Sequence, residues 1–476
     1  MQSIAAFLEH SQKELLPYQK ETLNAYANHS YGCIEAPTGR GKTLAIALAI
    51  IAKSIADKKR PKILWITPMR ALARDTLDQL TSIFEFFYPD IAIILRTSDS
   101  SSYQKKKARD NKWDILITTP ESCSLFTTYS DTAATFSGIE SIIIDEWHVL
   151  LHQKRGILLE CFLSWMWHIH PTHRRWALSA TLSSSQEAGR VLCPYDKSVV
   201  VSDPFKKIIT GDILLPQKDD ETFRGLGKHL LVPMIEKIKA VTSTIIFTNT
   251  RSQSEQWYQR LIDSKQFKKS EIAIHHSAVD HQDRTAAEKG IKKGTIRCIV
   301  ATSSLDLGVD IEPVDLVIHI GSPKGMARLK QRAGRSGHSP FDQSHVLMVP
   351  RHGFEVLESV AAIQHLSDHV YDDIPYYGLP FDVLMQHIIN ICMGQAFQYT
   401  EILEMLRHTY TFKSIEDHDL KWILDFCCND HTLLKAYPEH TKLNREEDAY
   451  QTNLAPLIQK SQRYNVGAIT SDDYLK

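Results

Sequence analysis

The sequence contains few glycines and prolines and no Cys-x-x-Cys motif. Its 20 glycines and 19 prolines in 476 residues exclude collagen-like and Pro/Gly-rich disordered classes. None of its eight cysteines is spaced as Cys-x-x-Cys from another, so nothing supports a zinc ribbon or a thioredoxin-like motif. Because scattered thiols in a large chain are typical of a reducing compartment, we expect a cytoplasmic protein.

Long apolar runs and an excess of one charge are also missing. The longest strongly apolar helical stretch, 44–52, is much shorter than a bilayer span, so we expect no membrane partner. The first residues, MQSIAAFLEHSQKE, carry no basic segment ahead of their apolar ones, so a secretory signal is not expected. Lys and Arg number 55 against 56 Asp and Glu. Any surface that binds nucleic acid must therefore be a local patch.

Short apolar runs alternate with helical patterns along most of the chain, whose length allows about three domains. Runs that are apolar on both faces predict buried parallel strands. They lie at 31–35, 63–67, 91–96, 114–119, 141–145 and 175–179, and then at 244–248, 272–275, 297–301, 316–320 and 345–349. Helical patterns such as 43–59 and 69–87 separate them, which predicts two α/β domains. After about residue 360 we expect no further strands and a small helical domain.

The segment APTGRGKT at 36–43 follows one predicted strand and opens a predicted helix, which is the setting of a phosphate-binding loop. Glycines allow backbone N–H groups to turn toward phosphates, and the amino end of a helix favours their negative charge. In this interpretation Thr38, Gly39 and Gly41 form the loop, Lys42 bridges phosphate oxygens, and the Thr43 hydroxyl binds Mg²⁺. The plain alternative is a glycine turn between a strand and a helix.

The segment SIIIDEWH at 141–148 ends a buried strand with two adjacent carboxylates. At the carboxyl edge of an open α/β sheet they face the crevice where ligands bind. Asp145 is predicted to hold Mg²⁺, and Glu146 to orient or deprotonate the attacking water. A pair of solvated acids at a strand end is the alternative, but the upstream phosphate loop favours function.

The segment QRAGRSGH at 331–338 places Arg332 and Arg335 at helix-like spacing beside glycines in the second domain. An arginine that reaches a γ-phosphate stabilises the charge of the transition state. A basic surface helix would be the better interpretation if this were the only motif in the chain.

Together these motifs, in this order on two α/β domains, resemble the superfamily 2 helicases. The resemblance implies two tandem RecA-like domains of the P-loop NTPase fold, with ATP and Mg²⁺ as cofactors. It also implies that Gln19 of PYQ reads adenine, and that Gly308 and Asp310 approach the nucleotide from the second domain. Gln331 and His148 would link the two domains when ATP closes the cleft.

By the same resemblance, several loops contact the nucleic-acid strand. The motifs are TPMRALA at 67–73, TTPES at 118–122, FTNTR at 247–251 and ATSSLDLGVD at 301–310, and the residues we single out are Thr67, Arg70, Thr119, Arg251 and Thr302. The segment SAT at 179–181 resembles the motif that couples ATP to nucleic acid. Ser98 stands where the family pattern has glycine, and His338 where many helicases have arginine. We therefore predict Arg335 as the main arginine finger, with Arg332 structural or at the nucleotide.

The details resemble the Lhr-like branch, and Trp147 suggests the bacterial ligase-associated DEXH-box helicases. This implies RecA-like domains at 1–204 and 205–362 and a winged-helix domain at 363–445. The tail, 446–476, resembles the start of a β-rich region, so we expect a fragment or truncated form.

These observations leave three functional hypotheses. The first is an ATP-dependent DNA helicase that moves 3′ to 5′ on single-stranded or tailed duplex DNA in DNA repair, linked to an ATP-dependent DNA ligase and a nuclease. The second is a helicase for RNA or RNA–DNA hybrids. The third is an ATP-gated nucleic-acid clamp that does not unwind productively. The basic run KKKAR at 105–109 is either a solvated face or a further nucleic-acid contact.

Overall fold

The structure is a computed structural model of the chain. It describes residues 3–151, 153–180, 182, 184–194, 197–205, 207–215, 230–306, 314–337, 343–366, 378–428, 441–452, 459 and 463. The chain divides into two compact units. The first contains residues 1–36, 41–204 and 374–476, and the second contains 37–40 and 205–373. None of the described helices is long and apolar enough to cross a membrane.

A fully parallel sheet forms the centre of the first unit, with strand order β3-β4-β2-β5-β6-β1-β7. The strands are β1 Tyr31–Glu35, β2 Ile63–Ile66, β3 Ile93–Arg96, β4 Ile115–Thr118, β5 Ser141–Ile144, β6 Arg174–Ser179 and β7 Val199–Ser202. The helices are α1 Ile4–Ser11, α2 Pro17–Asn28, α3 Lys42–Ala56, α4 Arg70–Phe87, α5 Ser102–Arg109, α6 Pro120–Phe126, α7 Thr132–Thr135, α8 Lys154–Ile169 and α9 Ser185–Leu192. A short 3₁₀ turn, Trp147–Val149, follows β5. The predicted strands of this domain are all present, whereas β7 was not predicted.

The second unit has its own parallel sheet, with strand order β10-β11-β9-β12-β13-β8. Its strands are β8 Ile209–Ile213, β9 Thr244–Phe247, β10 Ile272–His275, β11 Cys298–Ala301, β12 Leu316–Ile320 and β13 Ser344–Val349. Its helices are α10 Leu231–Lys239, α11 Arg251–Asp263, α12 His281–Lys292, α13 Met326–Ala333 and α14 Gly353–Gln364. Two 3₁₀ turns, Lys269–Glu271 and Ser303–Leu305, complete the described elements of this unit. The two sheets confirm the predicted α/β class.

The carboxyl-terminal part of the chain rejoins the first unit. It contains the helices α15 Phe381–Gly394, α16 Tyr399–Arg407 and α17 Asp417–Cys427. A small antiparallel sheet, ordered β14-β16-β15, joins β14 Phe397–Gln398, β15 Leu443–Glu446 and β16 Ala449–Thr452. The prediction that strands stop after about residue 360 is therefore wrong. These strands were missed because they are too short to show a periodic apolar pattern.

Helix α8 connects the first sheet to this carboxyl-terminal region. Its residues from Gly156 to Met166 are all buried, and they belong to a core that also includes apolar side chains of α15, α16 and α17. Polar contacts reinforce the packing: Asn390 Nδ2 donates to Ser124 Oγ at 3.1 Å, and Ser164 Oγ donates to the Met405 carbonyl. A helix that is apolar on all sides is stable only when it is covered on all sides, so the first α/β domain and α15–α17 share one core within the first unit.

Candidate nucleotide site and strand-contacting loops

The loop between β1 and α3 has the backbone that a phosphate cradle needs. Gly39 and Gly41 have φ values of +81° and +80°, a region that residues with a Cβ rarely adopt. A Cβ at Gly41 would lie 2.8 Å from Gln19 Nε2, so a larger residue would also push against α2. Because Gly41 caps α3, the unsatisfied N–H groups of the first helical turn open directly onto the loop.

The predicted phosphate-binding residues occupy this loop. Lys42 is buried and its Nζ donates to the Ala36 carbonyl at 2.8 Å. Thr43 is half-buried in the first turn of α3, while Thr38 and Gly39 are exposed. The loop thus offers backbone N–H groups, an ammonium and a hydroxyl at the amino end of one helix.

Gln19, which the resemblance implies reads adenine, lies against the same loop. Its Nε2 donates to the Gly41 carbonyl at 3.2 Å, and its Oε1 accepts from the Leu16 N–H at 2.9 Å. Both bonds fix the amide, which is itself buried. The start of α2 is therefore anchored to the phosphate loop.

The two adjacent carboxylates are both buried at the end of β5. Asp145 Oδ1 accepts from the Glu146 N–H at 2.9 Å, and Glu146 has a left-handed backbone with φ of +46°. Such a conformation is uncommon outside glycine and occurs often at functional sites. Burial and the neighbouring Glu146 charge raise the pKa of Asp145 to about 7, although Lys42 opposes this. The phosphate-loop lysine and the two acids therefore form one electrostatic site.

His148 is held beside these acids. Its Nδ1 lies 2.9 Å from Ser179 Oγ, at the end of β6, and 3.6 Å from Glu146 Oε2. Burial lowers the pKa of His148 to about 4, with Glu146 raising it and Lys42 lowering it further. The imidazole is thus neutral near pH 7 and joins the acidic motif to the motif at 179–181, of which Thr181 lies outside the described residues.

The donor set fits a magnesium ion. Mg²⁺ prefers hard oxygen ligands and usually binds through one or two carboxylates together with substrate phosphates. Asp145 and Thr43 offer such oxygens, and Glu146 Oε2 is buried without a hydrogen-bond partner within the described ranges. Two buried acids that repel each other are stabilised by a cation between them.

The loops that we predict to contact the nucleic-acid strand follow β2 and β4 at the carboxyl edge of the first sheet. Thr67 is fully buried, with its hydroxyl donating to the Met69 carbonyl at 3.2 Å, so its side chain supports the loop from inside. Thr119 is also buried, and its Oγ1 lies 3.4 Å from Ser122 Oγ. Arg70 is exposed and pairs with Asp99 at 2.6 Å.

Sequence reasoning did not identify Arg155 as a link between these two loops. Its guanidinium pairs with Glu121 of α6, and its Nη2 donates to the Pro68 carbonyl at 2.6 Å. Burial alone would raise the pKa of Glu121, but the hydrogen bond and charge of Arg155 hold it below the ordinary value. The only available signal was the short basic segment Lys154-Arg155-Gly156, which follows DEWH in the sequence and resembles the Lhr-like branch.

Two more supporting contacts fix the turn that follows the acids. Trp147 is fully buried and its Nε1 donates to the Ala188 carbonyl of α9 at 3.1 Å. A Cβ at Gly156 would lie 1.8 Å from the Leu150 carbonyl oxygen, so only glycine allows α8 to pack this closely on the turn. The tryptophan and the glycine hold the acidic loop in place.

In the second unit, Arg332 is held by buried partners. Arg332 is 1% exposed and donates twice to Asp306, at 2.7 and 3.1 Å. Its Nη1 lies 2.7 Å from His319 Nε2, and its guanidinium stacks over Phe247 at 4.9 Å. Burial and Arg332 lower the pKa of His319 to about 3, so the imidazole is neutral and accepts this bond. Asp306 is the partner of Arg332 that sequence reasoning missed, and the nucleotide contact of Arg332 stays a prediction.

The remaining predicted residues of the second unit lie on several different elements. Arg335 Nη2 donates to the Asp306 carbonyl at 3.2 Å, and Gln331 is half-buried on α13. Arg251 begins α11, is exposed and donates to Ser277 Oγ at 2.5 Å. Thr302 is buried directly after β11. Gly308, Asp310 and His338 lie outside the described residues.

A parallel α/β sheet with this phosphate loop and paired acids defines a P-loop NTPase, and a second parallel α/β unit follows it. Three family models match the chain in order. They are the DEAD/DEAH box helicase at residues 16–188, the helicase conserved C-terminal domain at 227–339 and the Large helicase-related protein winged-helix domain at 364–476. The last match confirms the winged-helix prediction for the carboxyl-terminal region.

Comparison with individual proteins agrees. The chain is 30% identical to an ATP-dependent helicase Lhr-Core protein 2 of Thermococcus barophilus over 445 residues, covering 87% of this chain and 51% of that protein. It is 31% identical to the ATP-dependent helicase Lhr-Core of Methanocaldococcus jannaschii over 436 residues, with coverages of 87% and 51%. The fold matches the helicase Lhr of Mycobacterium smegmatis, solved with single-stranded DNA and AMP-PNP, at a TM-score of 0.84 and 25% identity, covering 98% of this chain and 62% of that one.

The chain belongs to the Lhr-like branch of the superfamily 2 helicases. It spans about half the length of the curated relatives that it matches.

Proposed function

We propose that the chain is an ATP-dependent motor that moves on single-stranded DNA. The observation that carries this proposal is the single buried site that Lys42, Asp145 and Glu146 form in the first unit, with Gln19 against the same loop. A dead nucleotide-binding module would not need a buried acid pair, which is costly to maintain without a cation and a phosphate.

Each side chain has a defined task in hydrolysis. Lys42 and the backbone N–H groups of the loop hold the β- and γ-phosphates of ATP, and Gln19 binds the adenine. Thr43 and Asp145 would hold Mg²⁺, which would supply positive charge to neutralise the phosphates. Glu146 orients the attacking water and accepts its proton. Arg335 is the residue that we expect to stabilise the charge on the γ-phosphate.

The finer properties of the motor are also proposals. The relative from M. smegmatis was solved with single-stranded DNA, which favours DNA as the track. Because the chain would bind DNA mainly through contacts to phosphates, its affinity should depend on salt concentration and little on base sequence. Travel from 3′ to 5′, a role in DNA repair and a link to an ATP-dependent ligase and a nuclease rest on the resemblance to the ligase-associated helicases. Loops that contact only the sugar-phosphate backbone do not exclude RNA or an RNA–DNA hybrid as the track, which is the second candidate function. The third candidate is an ATP-gated clamp that binds nucleic acid without unwinding it.

Steady-state ATP hydrolysis without nucleic acid, with single-stranded DNA and with single-stranded RNA, at one salt concentration, tests the proposal. We expect strong stimulation by DNA. Equal stimulation by RNA would favour the second candidate, and stimulated hydrolysis without strand displacement would favour the clamp.

The Glu146→Gln variant tests the mechanism. It should bind ATP but lose turnover, because the amide cannot accept the proton. Glu140→Gln is the matched control, since Glu140 lies directly before the same strand at its opposite end and should leave turnover unchanged. Full turnover by Glu146→Gln would show that the assigned mechanism is wrong.

A further inference from the structure

The loop that carries Arg335 begins at the carboxyl end of α13. The helix ends at Ala333, Gly334 caps it, and Arg335 is the next residue. The last carbonyl groups of a helix have no partner within the helix and carry a partial negative charge. The backbone that presents Arg335 therefore needs hydrogen-bond donors from other parts of the chain.

One backbone N–H group and one lysine supply these donors. The Val314 N–H donates to the Arg335 carbonyl at 2.9 Å. The Lys207 ammonium donates to the carbonyl groups on either side, at 3.2 Å to Gly334 and at 3.0 Å to Ser336. Three consecutive carbonyl groups are thus bound, and a single ammonium binds two of them.

The edge strand β8 places Lys207 beside this loop. Ile209, the first residue of β8, pairs with Ser344 at the start of β13, and the Ser344 N–H donates to the Ile208 carbonyl at 2.9 Å. The Ser344 hydroxyl also donates to the Ser336 carbonyl at 2.8 Å. Because Lys207 lies just before these paired residues, the pairing of the two strands fixes where its side chain starts.

The charge of Lys207 suits this position as well as its reach does. A cation near the carboxyl end of a helix is stabilised by the helix dipole, and an ammonium has three N–H groups to donate. A lysine beside an edge strand is often only a solvated charge that prevents aggregation. Lys207 differs, because it is half-buried and its two carbonyl partners flank Arg335.

The Arg335 side chain extends from this backbone toward Asp306. Its Nη2 donates to the Asp306 carbonyl at 3.2 Å, and Arg332 binds the carboxylate of the same aspartate at 2.7 Å. A shift of the loop backbone would move the Arg335 guanidinium with it. A misplacement of about 1 Å can lower the rate of a reaction about 100-fold.

We propose that Lys207 is a positioning residue for ATP hydrolysis. Its ammonium binds the carbonyl groups of Gly334 and Ser336 and so sets the position from which Arg335 reaches the γ-phosphate. The inference rests on the proposed function, in which Arg335 stabilises the transition state. Because Lys207 acts through Arg335, its loss should lower kcat and leave the KM for ATP nearly unchanged.

Steady-state ATP hydrolysis by the 476-residue chain with saturating single-stranded DNA tests this role. Lys207→Met has a side chain of similar length without a donor, and it should lower kcat about 10- to 100-fold. Lys207→Arg keeps a cation with several N–H groups and should recover part of the loss. Lys293→Met is the matched control, because Lys293 is an exposed lysine at the carboxyl end of α12 and should leave kcat unchanged.

A double-mutant cycle shows whether Lys207 acts through Arg335. Arg335→Ala should lower kcat by about 10³-fold or more. Adding Lys207→Met to Arg335→Ala should cause no further loss, because the group that Lys207 positions is then absent. An equal further loss would show that Lys207 acts elsewhere, and it would overturn the inference. Single-turnover measurements keep the slow variants within range, and thermal unfolding checks that each variant is folded.

The outcomes separate this inference from the proposed function. If DNA stimulates the wild-type chain and Arg335→Ala is slow, but Lys207→Met keeps the wild-type kcat, the role of Lys207 is wrong and the motor remains. A higher KM for ATP at unchanged kcat would also exclude a positioning role. If DNA does not stimulate the wild-type chain, or if Arg335→Ala keeps full turnover, the proposed function is wrong in that respect and the inference fails with it.

Discussion

A buried carboxylate joins the first α/β domain to the winged helix, and its charge should weaken the junction at neutral pH. Glu160 on α8 is 4% exposed. Its Oε2 accepts from the Thr411 N–H at 2.9 Å and its Oε1 accepts from Thr411 Oγ1 at 3.1 Å. Burial raises the pKa of Glu160 from 4.5 to about 7, although the bonds from Thr411 oppose this. Glu160→Gln removes the charge, and its amide can still pair with both Thr411 groups.

The expected effect follows from linkage. The pKa of Glu160 is higher in the folded chain than in the unfolded chain. Glu160 therefore stabilises the folded state fully below about pH 4.5, and this stabilisation is lost as the pH rises through about 7. A shift of this size corresponds to about 3 kcal/mol of unfolding free energy. Part of this contribution is already lost at pH 5, so between pH 5 and pH 8 the wild-type first unit should lose about 2–3 kcal/mol relative to Glu160→Gln.

Urea unfolding of both proteins at pH 5 and pH 8 measures this difference, because all other titrating groups are common to them. Asp382→Asn is the control, since Asp382 pairs with Lys154 on the surface at 2.6 Å and should change stability by at most about 1 kcal/mol. Equal pH dependence of wild type and Glu160→Gln would refute the reasoning.

Three further substitutions test supporting contacts. Gly156→Ala places a Cβ against the Leu150 carbonyl, so thermal unfolding should show a loss of about 1–3 kcal/mol and ATP turnover should fall with it; unchanged stability would contradict the close packing. Arg332→Met removes both hydrogen bonds to the buried Asp306 carboxylate and leaves the exposed Arg328, at 3.7 Å, beside it, so urea unfolding should show a loss of about 3 kcal/mol in the second unit, with Arg332→Met/Asp306→Leu recovering part of the loss. Arg155→Ala should raise the DNA concentration needed for half-maximal ATPase several-fold at nearly constant kcat, and Arg155→Lys should restore part of it; a fall in kcat alone would exclude a role in positioning the loops.

The parallel strands were predictable because strands covered by helices on both faces are apolar throughout. Strands β1, β10 and β12 have the predicted bounds, and the other predicted strands differ by one or two residues at their ends. Strand β8 was missed because it lies at a sheet edge, contains Gly211 and alternates half-buried with exposed residues. Local pattern carries little information where only one side of a strand is covered.

The candidate site was predictable where a motif encodes its own geometry. The glycines, Lys42 and the acids at 145 and 146 are adjacent in sequence to the turns that position them. Asp306 and Arg155 were missed because their partners are distant in sequence and only packing shows that their charges are matched. The structural role that we favoured for Arg332 had no partner in the sequence analysis for the same reason, since Asp306 lies on another element.

The sequence order of the two units has a consequence for synthesis. The second unit is inserted between two parts of the first unit. The hydrophobic core of the first unit is complete only when α15–α17 are present. When the ribosome has completed α8, one apolar side of that helix has no partner, and it gains one only after more than two hundred further residues have been translated. The inserted unit can fold in the meantime, whereas the first unit still exposes part of its hydrophobic core to solvent. A nascent chain stalled between α14 and α15 should therefore be the stage at which this protein most needs a chaperone.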